Sequence, residues 1–371
     1  MPKVLSLFTG AGGLDIGFHQ AGFEITDCVE IEGQFCETLR ANRKQLGEPR
    51  IHHKDIKDFV KERDLWPEPE DVDFIIGGPP CQPFSAGGRR VGGAPGTMDA
   101  VRGTLYESYA TLVENLKPKG FLFENVKGIL SANVGQDWLS IQTVFEKKLG
   151  YTLFHRILDT AEYGVPQHRE RVILIGVEDD LGFRWPEPTH GPCGDSDYVT
   201  PLEAFSGLNF KDDGTEVSGK YSHLLPDVPE GDNYSFFTEN RGHQNPVFPW
   251  RGRFSGFIYK ASPDRPVKTL VANPGGWGGP FHWANRRMTV NELKRLQSIP
   301  DDFILTGSRA QKIVQIGNSV PPLMAKALAR CVKVELFGAS EGDLSLSEEI
   351  SSDMDARKAR LGAKTKNKTV K

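Results

Sequence analysis

The chain has 371 residues, 38% hydrophobic and 25% charged, the balance of an ordinary soluble globular protein. That length accommodates two domains, or one large domain with an insertion. The formal charge of −4 gives no global sign of nucleic-acid binding, so the distribution of charge matters more than its sum. Five cysteines (Cys28, Cys36, Cys81, Cys193 and Cys331) form no CxxC pair and are odd in number, which speaks against a disulfide framework and a zinc site and for a reducing compartment. No apolar run reaches membrane-spanning length, and the N-terminus enters a strand at once, with no signal peptide expected.

Residues 3–8 (KVLSLF) read as a first strand that runs into Thr9-Gly10-Ala11-Gly12-Gly13-Leu14-Asp15. Strand, glycine turn and helix is the layout that brings a nucleotide-like ligand to a helix N-terminus, although the full GxGxxG fingerprint is absent. A plain αβ turn is the alternative reading. A second strand, 23–29, ends on Glu30, where such folds grip a ribose diol. A helix over 33–42 follows, and Asp55 falls near the tip of a third strand. Glu30 and Asp55 could also be solvated loop acids; their joint placement after strands two and three favours a cofactor role.

The run 72–76 (VDFII) predicts a buried strand, followed by Gly77-Gly78-Pro79-Pro80-Cys81-Gln82-Pro83-Phe84-Ser85. Two glycines and three prolines force a sharp, rigid turn that lifts one thiol off the strand end. Free cysteines usually fill cores, whereas a nucleophilic one must be exposed and fixed, so Cys81 is the candidate nucleophile. Residues 86–104 are glycine-rich, carry Arg89, Arg90 and Arg102, and read as a mobile lid. A helix over 105–116, a fifth strand at 121–123 ending on Glu124, a helix over 136–149, and strands at 151–158 and 172–177 complete an alternating α/β domain over 1–178.

These blocks resemble the DNA (cytosine-5)-methyltransferases of bacterial restriction-modification systems. The resemblance rests on 8–13 (FTGAGG), 78–85 (GPPCQPFS), Glu124-Asn125-Val126, 167–172 (QHRERV), 287–293 with Leu296-Gln297, and 315–322 (QIGNSVPP), in the family's order over 4 to about 336. Thr9 stands where serine is usual. The resemblance implies a Rossmann-like α/β methyltransferase domain that binds S-adenosyl-L-methionine (product S-adenosyl-L-homocysteine), with a second, smaller, irregular or β-rich target-recognition domain. Cys81 would add to carbon 6 of cytosine, and Glu124, protonated or proton-sharing, would bond ring nitrogen 3. Arg169 would meet the ring carbonyl with Arg171 in support; the blander reading of that pair is a surface ion-pair cluster. Phe8, Gly10, Gly12, Gly13, Glu30, Ile31, Asp55, Ile56, Pro79, Leu105, Asn318 and Val320 would form the cofactor site, with Gly10, Gly12 and Gly13 admitting its methionine part. No metal is implied.

Residues 179–285 lose helical periodicity and gain proline and glycine. Residues 191–240 carry a net −8 and residues 241–290 a net +7, with aromatics interleaved. Such a basic half suits duplex DNA, with phosphates positioning the protein and a few side chains reading bases. Gln82, Ser85, Arg89, Arg251, Arg253, Arg286 and Arg287 are the DNA-binding candidates. A small β-rich subdomain with a solvated face is the plain alternative. Residues 286–337, with a helix over 323–337, would return to complete the first domain, and 338–371 reads as a disordered charged tail. The resemblance further implies a prokaryotic cytoplasmic monomer, beside a restriction endonuclease directed to the same site. A recognition region this long favours duplex DNA over RNA.

Overall fold

A computed structural model of the chain describes residues 1–80, 99–178, 181–208, 215–252 and 254–340, and at 99–104 the backbone alone. In chain order the first part comprises β1 (Lys3–Leu7), α1 (Gly13–Gln20), β2 (Glu24–Glu30), α2 (Gly33–Ala41), β3 (Arg50–His53), α3 (Ile56–Lys61), β4 (Phe74–Gly77) and α4 (Asp99–Leu116). It continues with β5 (Gly120–Val126), α5 (Gln136–Thr143), β6 (Thr152–Asp159), the short β7 (Gln167–His168) and β8 (Glu170–Val177). Then come α6 (Pro201–Ala204), β9 (Val267–Lys268), β10 (Phe281–His282), β11 (Arg286–Arg287), α7 (Val290–Leu296), α8 (Arg309–Asn318) and α9 (Pro322–Phe337).

Seven strands form one sheet in the order β3-β2-β1-β4-β5-β8-β6. The first five strands pair in parallel, and β8 runs antiparallel to both β5 and β6. That reversal matters for the site. It brings the beginning of β8 to the edge where the parallel strands end, with Arg171 paired to Val126 and Ile173 to Glu124.

Successive residues of a strand face opposite sides of the sheet, and the buried runs obey this. Phe74 and Ile76 of β4, Leu122 of β5, and Ile173 and Ile175 of β8 join the core under α1 and α9. Ile75, Phe121, Phe123, Val172 and Leu174 join the opposite core with Phe59, Tyr109, Val113, Ile141 and Phe145. Both faces are therefore covered, which is why these strands read as continuous apolar runs. The first and last helices meet backbone to backbone: a Cβ on Gly17 would lie 2.5 Å from Ala325 Cβ and 2.7 Å from the Pro322 carbonyl oxygen.

Two sequence expectations differ from the structure, and a third, which left two readings open, is narrowed to one. The helix expected from 105 already runs from Asp99, so the last part of the expected lid is helical; the rest of that lid lies outside the described residues. The helix expected over 136–149 is α5 to Thr143, followed by a π turn over Val144–Lys148. The recognition region, expected as irregular or β-rich, is the irregular of the two: its strands are two residues long, its 3₁₀ turns are short, and most of its described residues are in neither helix nor strand. It has a small core of its own around Leu225, Tyr234, Phe237, Ile258 and Phe281. Phe205, Ala261, Val267 and Leu270, by contrast, belong to the sheet's core, and β9 pairs with β7. The charged tail beyond 340 lies outside the described residues. Among the described residues no helix is long and apolar enough to cross a membrane.

Candidate active site

The carboxyl ends of the parallel strands converge on one edge. There β1 leads into Phe8, β2 ends on Glu30, β3 is followed by Asp55, β4 leads into Gly78-Pro79-Pro80, and β5 carries Glu124 near its end. Open α/β sheets bind ligands along this edge. Cys81, Gln82, Ser85 and Arg89 follow Pro80 in sequence and lie outside the described residues.

Glu124 and Arg171 face each other across the β5–β8 pair. Arg171 Nε lies 2.8 Å from Glu124 Oε1, and both side chains are nearly buried. The contact is an ion pair without hydrogen-bond alignment, because Arg171 Nε has no hydrogen-bond partner. Burial lowers the Arg171 pKa and Glu124 partly restores it. The other carboxylate oxygen points at the turn before the nucleophile: a Cβ on Gly78 would sit 2.7 Å from Glu124 Oε2. A side chain at 78 would therefore have to displace the Glu124 carboxyl, a reason for glycine that the turn alone does not give. Asn125, buried beside it, donates from Nδ2 to the Pro79 carbonyl at 3.3 Å and accepts from the Val126 N–H at 2.8 Å. The end of β5 thus fixes both the carboxyl and the root of the Cys81 turn.

The expectation for Arg169 needs correction. Its guanidinium is 2% exposed and donates to the Leu270 carbonyl (Nη1, 3.0 Å) and the Gly317 carbonyl (Nη2, 2.8 Å). Burial, with Arg171 nearby, drives its pKa well below the usual range. Both ends of its fork are engaged away from Glu124, whereas Arg171, two residues on, lies against Glu124.

On the cofactor side, Glu30 Oε2 accepts from the Gly10 N–H at 2.7 Å and Oε1 from the Glu32 N–H at 2.8 Å. Burial raises the Glu30 pKa while these N–H groups oppose the rise. A carboxylate has about four acceptor sites, so capacity remains for a diol. Phe8 has a φ of 52°, left-handed for a non-glycine residue, and functional sites hold such strain at about 1–3 kcal/mol. Gly10 has a φ of 59°, and a Cβ there would meet nothing within 4 Å, so it faces open space. Gly12, at φ 85°, caps α1 in the left-handed conformation. Gly13 has a different reason to be glycine: a Cβ would lie 2.2 Å from the Val320 carbonyl oxygen. It admits the C-terminal segment that carries Val320, a packing reason for glycine that the sequence expectation did not include. Asp55 caps α3 by accepting from the Lys57 N–H at 2.8 Å. Ile31 is 55% exposed, an apolar surface left open beside Glu30, while Ile56 is buried and Asn318 is exposed at the end of α8. Leu105 is partly buried against the core, and Pro79 is buried.

Beneath this edge Asp15 is fully buried, with Oδ1 accepting from Cys28 Sγ at 3.5 Å and Oδ2 without a hydrogen-bond partner. Burial raises its carboxyl to about 6. The unfolded value is about 3.9, so between these pH values the native state holds more proton than the unfolded chain. Stability therefore falls as pH rises through this window and stays lower above it. Asp15→Asn cannot ionise. Relative to wild type it should gain up to about 3 kcal/mol between pH 4 and pH 8, read by denaturant unfolding. A difference that stays constant with pH would refute this account.

The expected DNA face is thinner than its charge suggests. Arg286 donates to both carboxylate oxygens of buried Glu292, at 2.8 and 2.7 Å. Freeing it would strand a buried charge, so it is corrected from a DNA reader to a structural pair. Thr289 and Glu292 also form a capping box at α7, a signal the sequence carried. Lys260 is buried and Arg241 pairs with Asp232. Arg251 is exposed, with its backbone held by the Tyr234 hydroxyl, and Arg253 lies outside the described residues. Arg287 lines a cleft of about 400 Å³ with Gly275, Gly276, Gly278 and Gly279. Arg309, which sequence reasoning missed because it lies beyond the recognition region, lines the same cleft, and its charge, after burial, lowers the Arg287 pKa.

Residues 2–333 match the model of the C-5 cytosine-specific DNA methylase family. The Type II methyltransferase M.NgoFVII of Neisseria gonorrhoeae is 36% identical over 371 residues, covering 95% of this chain and 92% of that protein. The Type II methyltransferase M.SacI of Streptomyces achromogenes is 35% identical over 369 residues, covering 90% of this chain and 93% of that protein. A solved structure from an Escherichia coli prophage, described as a candidate DNA modification methyltransferase, shares the fold with a TM-score of 0.64 at 24% identity, over 91% of this chain and 100% of that one. The match runs through nearly the whole described chain and includes every strand of the sheet, and the chain belongs to the C-5 cytosine-specific DNA methylase family.

Proposed function

We propose that this chain methylates carbon 5 of one cytosine within a specific duplex DNA sequence, through a covalent Cys81 adduct on a flipped-out base. The observation that carries the reading is the Glu124–Arg171 pair, 2.8 Å apart and set against Gly78 at the root of the Cys81 turn. Cytosine carbon 5 is a weak nucleophile. Addition of the Cys81 thiolate to carbon 6 pushes electrons toward nitrogen 3 and the ring carbonyl. The proton that the Cys81 thiol gives up passes to Glu124, which shares it with nitrogen 3, and Arg171 donates to the carbonyl oxygen, so charge that develops in the ring meets preorganised partners. Carbon 5 is then an enamine terminus. S-adenosyl-L-methionine, when bound, supplies an electrophilic methyl group. After transfer a base removes the carbon 5 proton, the nitrogen 3 proton returns to Glu124, and Cys81 leaves from carbon 6 as the thiolate, restoring the aromatic ring.

The residues on the cofactor edge fit that group: Gly10 faces open space, Glu30 keeps acceptor capacity, and Ile31 offers an exposed apolar surface. Phe8, Gly12, Asp55, Ile56, Pro79, Leu105, Asn318 and Val320 line or support the same pocket. The target carbon is stacked inside a duplex, so the base must swing out at a cost of a few kcal/mol. Gln82, Ser85 and Arg89 are assigned to DNA contact on the resemblance to the family. The enzyme works as a cytoplasmic monomer beside an endonuclease directed to the same sequence, in keeping with the Type II names of its relatives. Bisulfite sequencing of DNA from a host expressing the chain should show one protected cytosine in one sequence context. Scattered or absent protection, or label entering RNA instead of DNA in a methyl-transfer assay, would refute the reading.

Arg251, Arg253, Arg287 and Arg309 are assigned to the DNA. Arg287 and Arg309 share one glycine-walled cleft with no acidic residue among its lining, the setting of a phosphate contact. Arg309→Gln should weaken binding to all duplexes alike and flatten the salt dependence by about one unit. Loss confined to the cognate sequence would make Arg309 a base reader instead.

A further inference from the structure

We propose that Gln167, Arg169 and Gln297 form a clasp through which the cofactor edge and the DNA-recognition segment stabilise each other, so that filling one tightens the other. The proposal rests on the functional reading above and makes Arg169 a positioning residue rather than one that touches the base.

The clasp joins three chain segments. Leu270, at the root of the segment leading to the glycine-walled cleft, is held at both backbone groups: its N–H donates to Gln167 Oε1 at 2.8 Å, and its carbonyl accepts from Arg169 Nη1 at 3.0 Å. The C-terminal end of α8, which presents Asn318, is held on both sides. Arg169 Nη2 donates to the Gly317 carbonyl at 2.8 Å, and Gln297 Nε2 donates to the Ser319 carbonyl. Gln167 Nε2 closes the circuit on Gln297 Oε1 at 2.6 Å. The two held segments also touch directly: a Cβ on Gly317 would lie 2.4 Å from the Ala272 nitrogen. Gln167 and Gln297 are 0% exposed and Arg169 is 2% exposed.

A stability role alone accounts poorly for this arrangement. Arg169 is a buried cation held by carbonyl dipoles, and its Nε has no partner. A buried charge and an unsatisfied donor each cost free energy that an apolar side chain would not. What the guanidinium does that an apolar side chain could not is hold two separate backbones at fixed spacing with one rigid fork. Ordering Asn318 around a cofactor therefore removes motion from Leu270 and Ala272, and a duplex seated on that segment has less left to order. Coupling of this kind needs no displacement and is reciprocal.

The test is a binding cycle. The affinity of a duplex bearing the mapped target is measured with and without saturating S-adenosyl-L-homocysteine, for wild type, Arg169→Lys and Gln297→Met. Lysine keeps the charge but reaches one carbonyl; methionine keeps the volume and leaves Arg169 in place. Wild type should bind DNA at least about 5-fold tighter with the cofactor product, the lower end of measured couplings, and both variants should lose most of that ratio. A purely structural role would lower both affinities and leave the ratio intact, and that result overturns the proposal. So does a wild-type ratio of one with both ligands bound. If wild type binds neither ligand, the functional reading itself has failed. Should Arg169→Lys not fold, Gln297→Met decides.

Discussion

Replacing Cys81 by serine should abolish methyl transfer, a loss of at least about 10⁴-fold, because a serine hydroxyl is a far weaker nucleophile toward carbon 6 than a thiolate. The reference thiol pKa is about 8.5, so only a minority is ionised at neutral pH unless the site assists. The decisive measurement is covalent capture. A duplex with 5-fluorocytosine at the target position should trap wild type after methyl transfer, since fluorine cannot leave as a cation. A denaturing gel should show the trapped species with wild type and none with Cys81→Ser. The substitution leaves untouched the hydrogen bond from Asn125 to the Pro79 carbonyl, two residues before Cys81. Lost capture with retained DNA binding is therefore chemical in origin. Capture that persists in the variant would remove Cys81 from the mechanism.

The second large effect concerns Glu124. Glu124→Gln keeps the shape but cannot hand a proton to nitrogen 3, and should lower kcat by roughly 10²–10³, the usual loss for one preorganised partner of developing charge. Gly78→Ala should produce a related defect from the opposite side. Its methyl group would sit 2.7 Å from Glu124 Oε2 and must push that carboxyl aside, the carboxyl being the movable end of a side chain. Misplacement of this order costs up to about 10²-fold in rate. The two variants should differ in origin and in stability. Gly78→Ala removes neither apolar burial nor a charge and should melt close to wild type, whereas Glu124→Gln leaves the nearly buried Arg171 without its counter-charge and should melt lower; single-turnover methylation slows in both. A Gly78→Ala enzyme of normal rate would show that Glu124 is free to move without consequence.

Much of this architecture is legible in the residues, for stated reasons. The runs that became β1, β4, β5 and β8 are apolar throughout because both faces of the sheet are covered, and each ends at a glycine, an acid or a tight turn. Local signals of that kind survive in a sequence. What does not survive is register and long-range packing. Arg169 and Arg171 stand two apart, and nothing local says which lies against Glu124; the pairing of Val126 with Arg171 decides it. Gly13 resembles its neighbour Gly12 until Val320, some three hundred residues away in the chain, is seen against it. The DNA face shows the opposite failure. Net charge was readable, but its commitment was not: Arg286, Lys260 and Arg241 are occupied by protein partners. The Thr289–Glu292 capping box was available as a warning, since it draws Glu292 back toward the start of α7, where Arg286 finds it.

The closure of α9 on α1 fixes the order of events at the ribosome. The glycine turn and its strand emerge first, whereas Val320 and the helix that covers Gly17 are among the last described segments to be made. At synthesis rates of about 5–20 residues per second, the delay between Gly13 and Val320 is roughly 15–60 s. Through that interval the nascent chain carries a nearly complete sheet whose first helix has no cover, an apolar surface for a chaperone to shield. Methylation competence therefore arrives late and in a single step, and a translation stall before residue 320 yields a product without an assembled cofactor edge rather than a partly active enzyme.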